Sequence, residues 1–221
     1  MKIIQKPMPT NKYSVKCPYP MVPEFYVIHN TANDANAMGE INYMIGNNSQ
    51  TSYHYAIDDK NIIQAVPEHR NTWHAGDGGQ GAGNRKGIGI EICFSKSGGP
   101  RFIEAEKLAA KFVASRLKAR NWGMDKIKKH QDFSGKYCPH RTLDLGWGRF
   151  LTMVQTELNQ LNAPTVNKPT PPTIENPNPS SWAIESWNWA QATKLSDGTR
   201  PRSELTREEF VTMLKRLHDS K

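Results

Sequence analysis

The chain has 221 residues, 37% of them hydrophobic, and 29 Lys and Arg against 21 Asp and Glu give a formal net charge of +8. That length holds one ordinary domain and a small appendage. No run of about 18 apolar residues could span a membrane, and no zinc-finger spacing or RNP-like aromatic strand marks a nucleic-acid module. The opening segment, MKIIQKPMPTNKYS, contains no apolar stretch long enough for a secretory signal. The expectation is therefore a chain made soluble in the cytoplasm, with no membrane insertion and no nucleic-acid partner. Cys17, Cys93 and Cys138 are an odd number at irregular spacing, which argues against a disulfide framework.

In chain order, FYVIHN (25–30) reads as a buried strand. Asp34 is placed to cap a following helix in which Met38, Ile41 and Ile45 share one face. SYHYAID (52–58) and NIIQAV (61–66) flank Asp59-Lys60 and predict a hairpin. From Glu68 to Gly87 the chain holds six glycines together with Trp73 and His74, so a long loop is expected there. Residues 88–94 form the next strand, with Cys93 as a small buried hydrophobe. Helical spacing returns over Ile103–Asn121, with Ala105, Leu108, Ala109, Phe112, Val113 and Leu117 in one stripe. A last helix fits Trp147–Leu161, with Phe150, Leu151, Val154 and Leu158 inward. Strands interleaved with helices of crossover length predict an α/β fold, a mixed central sheet flanked by helices.

Composition then breaks. Residues 162–181 hold six prolines and almost no charge, as a semi-rigid extended linker does. Beyond it, the pattern predicts helix, turn, helix, a small α-helical module. Thr206 and Glu209 make a capping box, and Phe210, Met213, Leu214 and Leu217 form an apolar stripe. Trp182, Trp187 and Trp189 are read as helix-packing core, with glycan stacking by an exposed member as the alternative. About forty residues bury little core alone, so this module would need a second copy, and hence a homo-oligomer, to be stable. The division is residues 1–162, a linker over 163–181 and a module over 182–221.

The segment KKHQDFSGKYCPHR (128–141) sets His130 and Cys138 eight residues apart, with Lys136 between them. His29 closes the 25–30 strand and is a further candidate ligand. Two histidines and a cysteine would leave a fourth position open, as in a catalytic zinc site. On the local pattern alone, a core histidine and a free buried cysteine remain an equal alternative. Glu91 sits in an apolar strand, where a carboxylate is costly to bury unless a partner or metal offsets it; alternation also permits it to face outward.

FYVIHNTA, SYHYAID, GIGIEICF and KKHQDFSGKYCPHR, in this order, resemble the zinc-dependent N-acetylmuramoyl-L-alanine amidases of the type-2 amidase and peptidoglycan-recognition superfamily, most of all endolysins of Gram-positive phages and prophages. The resemblance covers roughly residues 15–160. It implies the same mixed-sheet fold, peptidoglycan as substrate, and Zn²⁺ held by His29, His130 and Cys138. It implies Glu91 as the catalytic base and Lys136 as the cation beside the oxyanion. Tyr53 stands where relatives lacking the acid use a tyrosine, and Trp73 and His74 fall in a loop that faces substrate. Asp132 could accept the second ring proton of a ligand histidine. Asn30 replaces a histidine of many relatives that is not a metal ligand. The alternative function is a non-catalytic peptidoglycan-recognition protein.

Residues 1–162 carry 21 basic and 14 acidic side chains and residues 180–221 carry 7 and 6, so the excess positive charge sits on the first domain. In this family context the polyanion it would face is the Gram-positive wall. Residues 182–221 resemble a single S-layer-homology repeat, a wall-anchoring unit. A cytoplasmic protein of this kind reaches the wall only after release.

Overall fold

The structure, a computed structural model, describes residues 1–163, 178–196 and 207–219, and the chain divides into two units, Met1–Ala163 and Pro164–Lys221. The first is built on strands β1 (Ile4–Gln5), β2 (Phe25–Asn30), β3 (Tyr55–Ile57), β4 (Ile62–Gln64), β5 (Gly87–Ile92) and β6 (Ile127–Lys129). They lie in the order β1-β4-β3-β5-β2-β6. Only β3 and β4, the predicted hairpin, are antiparallel; every other neighbouring pair is parallel. Strand β2 has parallel neighbours on both sides, which explains why it is buried from Tyr26 to Asn30.

Alternation sorts the side chains of β2 and β5 onto two faces. Tyr26 and Ile28 register with Ile88 and Ile90, while Phe25, Val27 and His29 register with Gly87, Gly89 and Glu91. The first set joins the hydrophobic core. Tyr55, paired with Ile90, shares that face and meets Phe112 at 4.8 Å between ring centroids.

The helices of this unit are α1 (Tyr13–Lys16), α2 (Ala37–Gly46), α3 (Ala82–Lys86), α4 (Gly99–Arg120), α5 (Gln131–Ser134), α6 (His140–Asp144) and α7 (Trp147–Asn162). Helix α4 packs against β3 and β5, and α7 packs on α4. The predicted stripe is its buried face except at Leu108, which is half-buried. Helix α4 starts four residues earlier than its apolar spacing indicates. Gly98 and Gly99, both at positive φ, turn the chain, and Pro100 occupies the first turn. At its other end Asn121 is left-handed and bonds the Leu117 and Lys118 carbonyls. In α7, Phe150, Val154 and Leu158 are buried as expected.

Three local expectations are corrected. Helix α2 is capped by Asn36, whose side chain accepts from Gly39 N; Asp34 instead accepts from the Ser97 backbone and hydroxyl. The inward face of α2 is centred on Ala37, Ile41 and Met44, with Met38 and Ile45 at its margins. The glycine-rich stretch is not loop throughout, since α3 closes it. Its turn is held by Asp77, which accepts from Gly83 N and Asn84 N. All three cysteines are free and buried.

The second unit contains a short 3₁₀ turn, Ser181–Ala183, followed by α8 (Ile184–Ala192) and α9 (Arg207–Asp219). Trp182 and Trp189 are exposed, at 87% and 53%, and only Trp187 is half-buried. The trio therefore does not form the packed core expected of it. Most of the proline-rich segment, Thr206 and the side chain of Glu209 lie outside the described residues.

Candidate metal centre

The centre forms where β2 passes between β5 and β6. Its first donor, His29, stands near the end of β2 beside Glu91 of β5. On the other side the chain leaves β6 directly into His130, whose N–H bonds the Ile28 carbonyl at 3.3 Å and extends the ladder by one residue. Helix α5 then turns, Gly135 at φ 75° reverses the chain, and Gln131 N bonds the Cys138 carbonyl at 3.0 Å. The eight-residue spacing is thus one closed excursion that returns Cys138 to His130.

His29 Nδ1 lies 3.0 Å from His130 Nδ1 and 3.8 Å from Cys138 Sγ. The three donors fall within 4.8 Å of one another and all three residues are buried, separations that one ion with bonds of about 2.0–2.3 Å can bridge. Burial, followed by the charges of His74, His130 and Lys136, pushes His29 well below its usual pKa. Burial and then Lys136 lower His130 to about 4. Both imidazoles are consequently neutral near pH 7, the form that ligates. Burial and then Glu91 push the Cys138 thiol up to about 11, so its proton leaves only when a cation takes its place.

Glu91 supports the same reading. Its Oε2 is buried and has no hydrogen-bond partner among the described residues. Burial, with Glu40 adding to it and Lys136 opposing it, raises the carboxyl to about 8. A buried carboxyl oxygen left without a partner beside two histidines and a thiol fits a recess that receives a cation. The cluster could hold a metal ion.

The remaining predicted residues separate. Lys136 is exposed, yet its charge acts on His29, His130, Cys138 and Glu91. Tyr53 is buried and donates to the Glu40 carbonyl at 3.0 Å and to Glu40 Oε2 at 3.3 Å. Burial, then Glu91 and Glu40, hold its hydroxyl far above the usual range, so it remains protonated. Trp73 is half-buried, bonds the Val15 carbonyl through Nε1 and meets Tyr19 edge-on, which is loop packing.

His74, expected in a loop that faces substrate, is a buried residue. It lies behind His29, with Nδ1 2.9 Å from His29 Nε2 and Nε2 3.2 Å from the Gly87 carbonyl. Asp132 is not the acceptor for a ligand histidine; it binds Lys129 N and Nζ. Asn30 bridges to Thr142 in both directions, locking α6 to β2. The residue missed from sequence was Asn84, whose side chain holds the His74–Ala75 backbone. Its only signal was an asparagine within the glycine-rich run.

A mixed sheet that gathers two histidines, a thiol and a carboxyl at one end defines a protein with a candidate site for one metal ion. Comparison with known sequences specifies its family. The chain belongs to the Amidase_2 family, described as N-acetylmuramoyl-L-alanine amidase, which it matches over residues 19–141. It is 55% identical over 166 residues to the N-acetylmuramoyl-L-alanine amidase CwlA of Bacillus subtilis (strain 168), covering 75% of this chain and 61% of that protein. It is 58% identical over 149 residues to XlyB of the same organism, covering 67% and 47%. The chain thus spans about half to three-fifths of the length of these curated relatives. Among solved structures, the PlyG catalytic domain superposes with a TM-score of 0.68 at 46% identity, covering 75% of this chain and all of that one.

Proposed function

We propose that residues 1–162 hydrolyse the amide bond between the lactyl group of N-acetylmuramic acid and L-alanine in peptidoglycan, and that the whole chain acts as an endolysin-type lytic amidase. One observation carries this: His29, His130 and Cys138 converge beside Glu91. In this reading His29, His130 and Cys138 hold Zn²⁺, which when bound lowers the pKa of water to about 7 and polarises the scissile carbonyl. Glu91, low in solvation and unpartnered at Oε2, takes the proton of the attacking water and returns it to the leaving amine. Lys136 presents its ammonium to the oxyanion of the tetrahedral intermediate. Tyr53 has no proton-transfer role; its hydroxyl is committed to Glu40.

The rival reading, a recognition protein without turnover, requires neither a thiol ligand nor a free carboxyl in the recess. Both are present. The excess positive charge of residues 1–162 suits the anionic polymers of a Gram-positive wall. Residues 182–221 would hold the enzyme there, with Trp182 and Trp189 available to stack on sugar rings, and a second copy would complete their apolar faces. Among the described residues no helix is long and apolar enough to cross a membrane; in this reading the protein is made in the cytoplasm and meets the wall after release.

The test is digestion of purified sacculi. Turbidity falls and new L-alanine amino termini appear without new reducing sugars; chelation stops the reaction and zinc restores it. New reducing sugars instead of amino termini, or full activity in Cys138→Ser, overturns the proposal.

A further inference from the structure

His74 belongs to a tier of residues behind the metal centre, and that tier is one contiguous stretch of chain. Asn84 Oδ1 accepts from both His74 N and Ala75 N at 2.8 Å, and Asn84 Nδ2 donates to the Gly78 carbonyl at 3.1 Å. Asp77 in turn holds the backbone of Gly83 and Asn84. The two fixed residues then reach the two ligand histidines separately. The side chain of His74 meets His29, and the Ala75–Gly76 backbone lies beside the His130 ring.

The glycines of this region serve the same contacts. A Cβ on Gly89 would stand 2.9 Å from His74 Cγ, and one on Gly83 would stand 2.4 Å from the Ala75 Cβ. Neither site admits a side chain without displacing the residue that supports a ligand.

The hydrogen-bond directions follow one by one. The Gly87 carbonyl only accepts, so the His74 nitrogen facing it, Nε2, carries the proton. His74 is buried, and an imidazole whose single proton is on Nε2 offers a lone pair at Nδ1. His29 Nε2, 2.9 Å away, must therefore donate. This leaves the lone pair of His29 on Nδ1, the atom that faces His130 and Cys138.

Building on the zinc reading above, we propose that His74 is a positioning residue that fixes the tautomer and ring orientation of His29, and that Asn84 sets His74 and Ala75 as one rigid support for both histidine ligands. Outer partners of this kind commonly contribute about 10–100-fold to metal affinity. The loop is thus part of the metal-binding machinery and not a substrate-facing cover.

The experiment has two arms, both on the full chain. In metal-free wild type, long-range ¹H–¹⁵N imidazole spectra report which His29 nitrogen is protonated. Nε2–H is expected, and Nδ1–H overturns the proposal. In the second arm, zinc dissociation constants are measured by competition with a chromophoric chelator. His74→Leu weakens binding about 10–100-fold, while His74→Asn, whose amide oxygen still accepts from His29, regains most of the loss. Wild-type affinity in His74→Leu, or no recovery in His74→Asn, overturns it. A wild type that binds no zinc refutes the zinc reading instead, and the spectra of the metal-free protein still decide the His29 tautomer.

Discussion

His29 and Glu91 are direct partners in the parallel ladder of β2 and β5, so a candidate metal donor and a carboxyl without a partner for Oε2 emerge side by side on one face of the sheet. Neither residue's position depends on a loop. The relative placement of the two groups is set by the sheet itself.

Glu91→Gln should retain zinc and lose turnover by about 10²–10⁴-fold, the range for a general base, measured as amino termini released per minute alongside a zinc titration. The same variant has a second readout without metal. Because burial and then Glu40 raise the folded-state pKa of Glu91 to about 8, the neutral acid is the form compatible with the fold. Stability is therefore full below the unfolded value near 4.5 and declines as pH rises toward 8. Metal-free Glu91→Gln should melt above metal-free wild type at pH 8 and show no advantage at pH 4.

Lys136→Met should leave zinc affinity nearly unchanged and reduce kcat by about 10²–10³-fold, as removal of one oxyanion donor does. An unchanged kcat with a raised KM would instead assign Lys136 to substrate binding.

Acid should destabilise the metal-free protein through His54. Its Nε2 bonds the Arg70 carbonyl and its Nδ1 accepts from Gly89 N, so the buried ring is neutral. Burial lowers its pKa to about 4. Unfolding allows the ring to take up a proton between that value and about 6.5, so stability present above pH 6.5 is lost as pH falls toward 4, by roughly 3 kcal/mol from this residue. Denaturant titrations from pH 4 to 7 should show a shallower decline in His54→Gln.

Arg149→Ala should cost about 3–5 kcal/mol. The Glu106 side chain on α4 is fully buried, and Arg149 of α7 is its ion-pair partner, with the other carboxyl oxygen unsatisfied. Glu106→Gln in the same background should recover part of that loss in thermal melts, because a neutral amide tolerates the site better than an unpaired charge.

Removing residues 164–221 should leave cleavage of soluble muropeptides within about twofold of the full chain and weaken sedimentation with sacculi. If both activities fall together, residues 164–221 also support the first unit.

Much of this architecture was legible in the sequence. The buried run 25–30, the hairpin around Asp59-Lys60 and the stripes of α4 and α7 follow from periodicity and turn chemistry. The donors His29, His130 and Cys138 were named through motif order, and the structure brings them together. Less legible were contacts whose partners are far apart in the chain. His74 looked like a loop residue because nothing local pairs it with His29, 45 positions away. Asp34 looked like a cap because Ser97, 63 positions on, takes it instead. Strands β1 and β6 are too short to show alternation, and they exist because a neighbouring strand offers them a ladder.

The donors lie on two distant stretches of chain, His29 and Cys138 being 109 positions apart. An ion bound between them acts as a cross-link, closing a loop about as long as those for which a disulfide would contribute roughly 4–5 kcal/mol by chain entropy alone. Unlike a disulfide, this cross-link can be withdrawn by acid or a chelator and replaced. The edge strand β6 is fastened to the sheet from only one side, so withdrawal should loosen that edge first. A protein with no disulfide among its cysteines would then carry a removable staple, and its resistance to unfolding would rise and fall with the supply of metal around it.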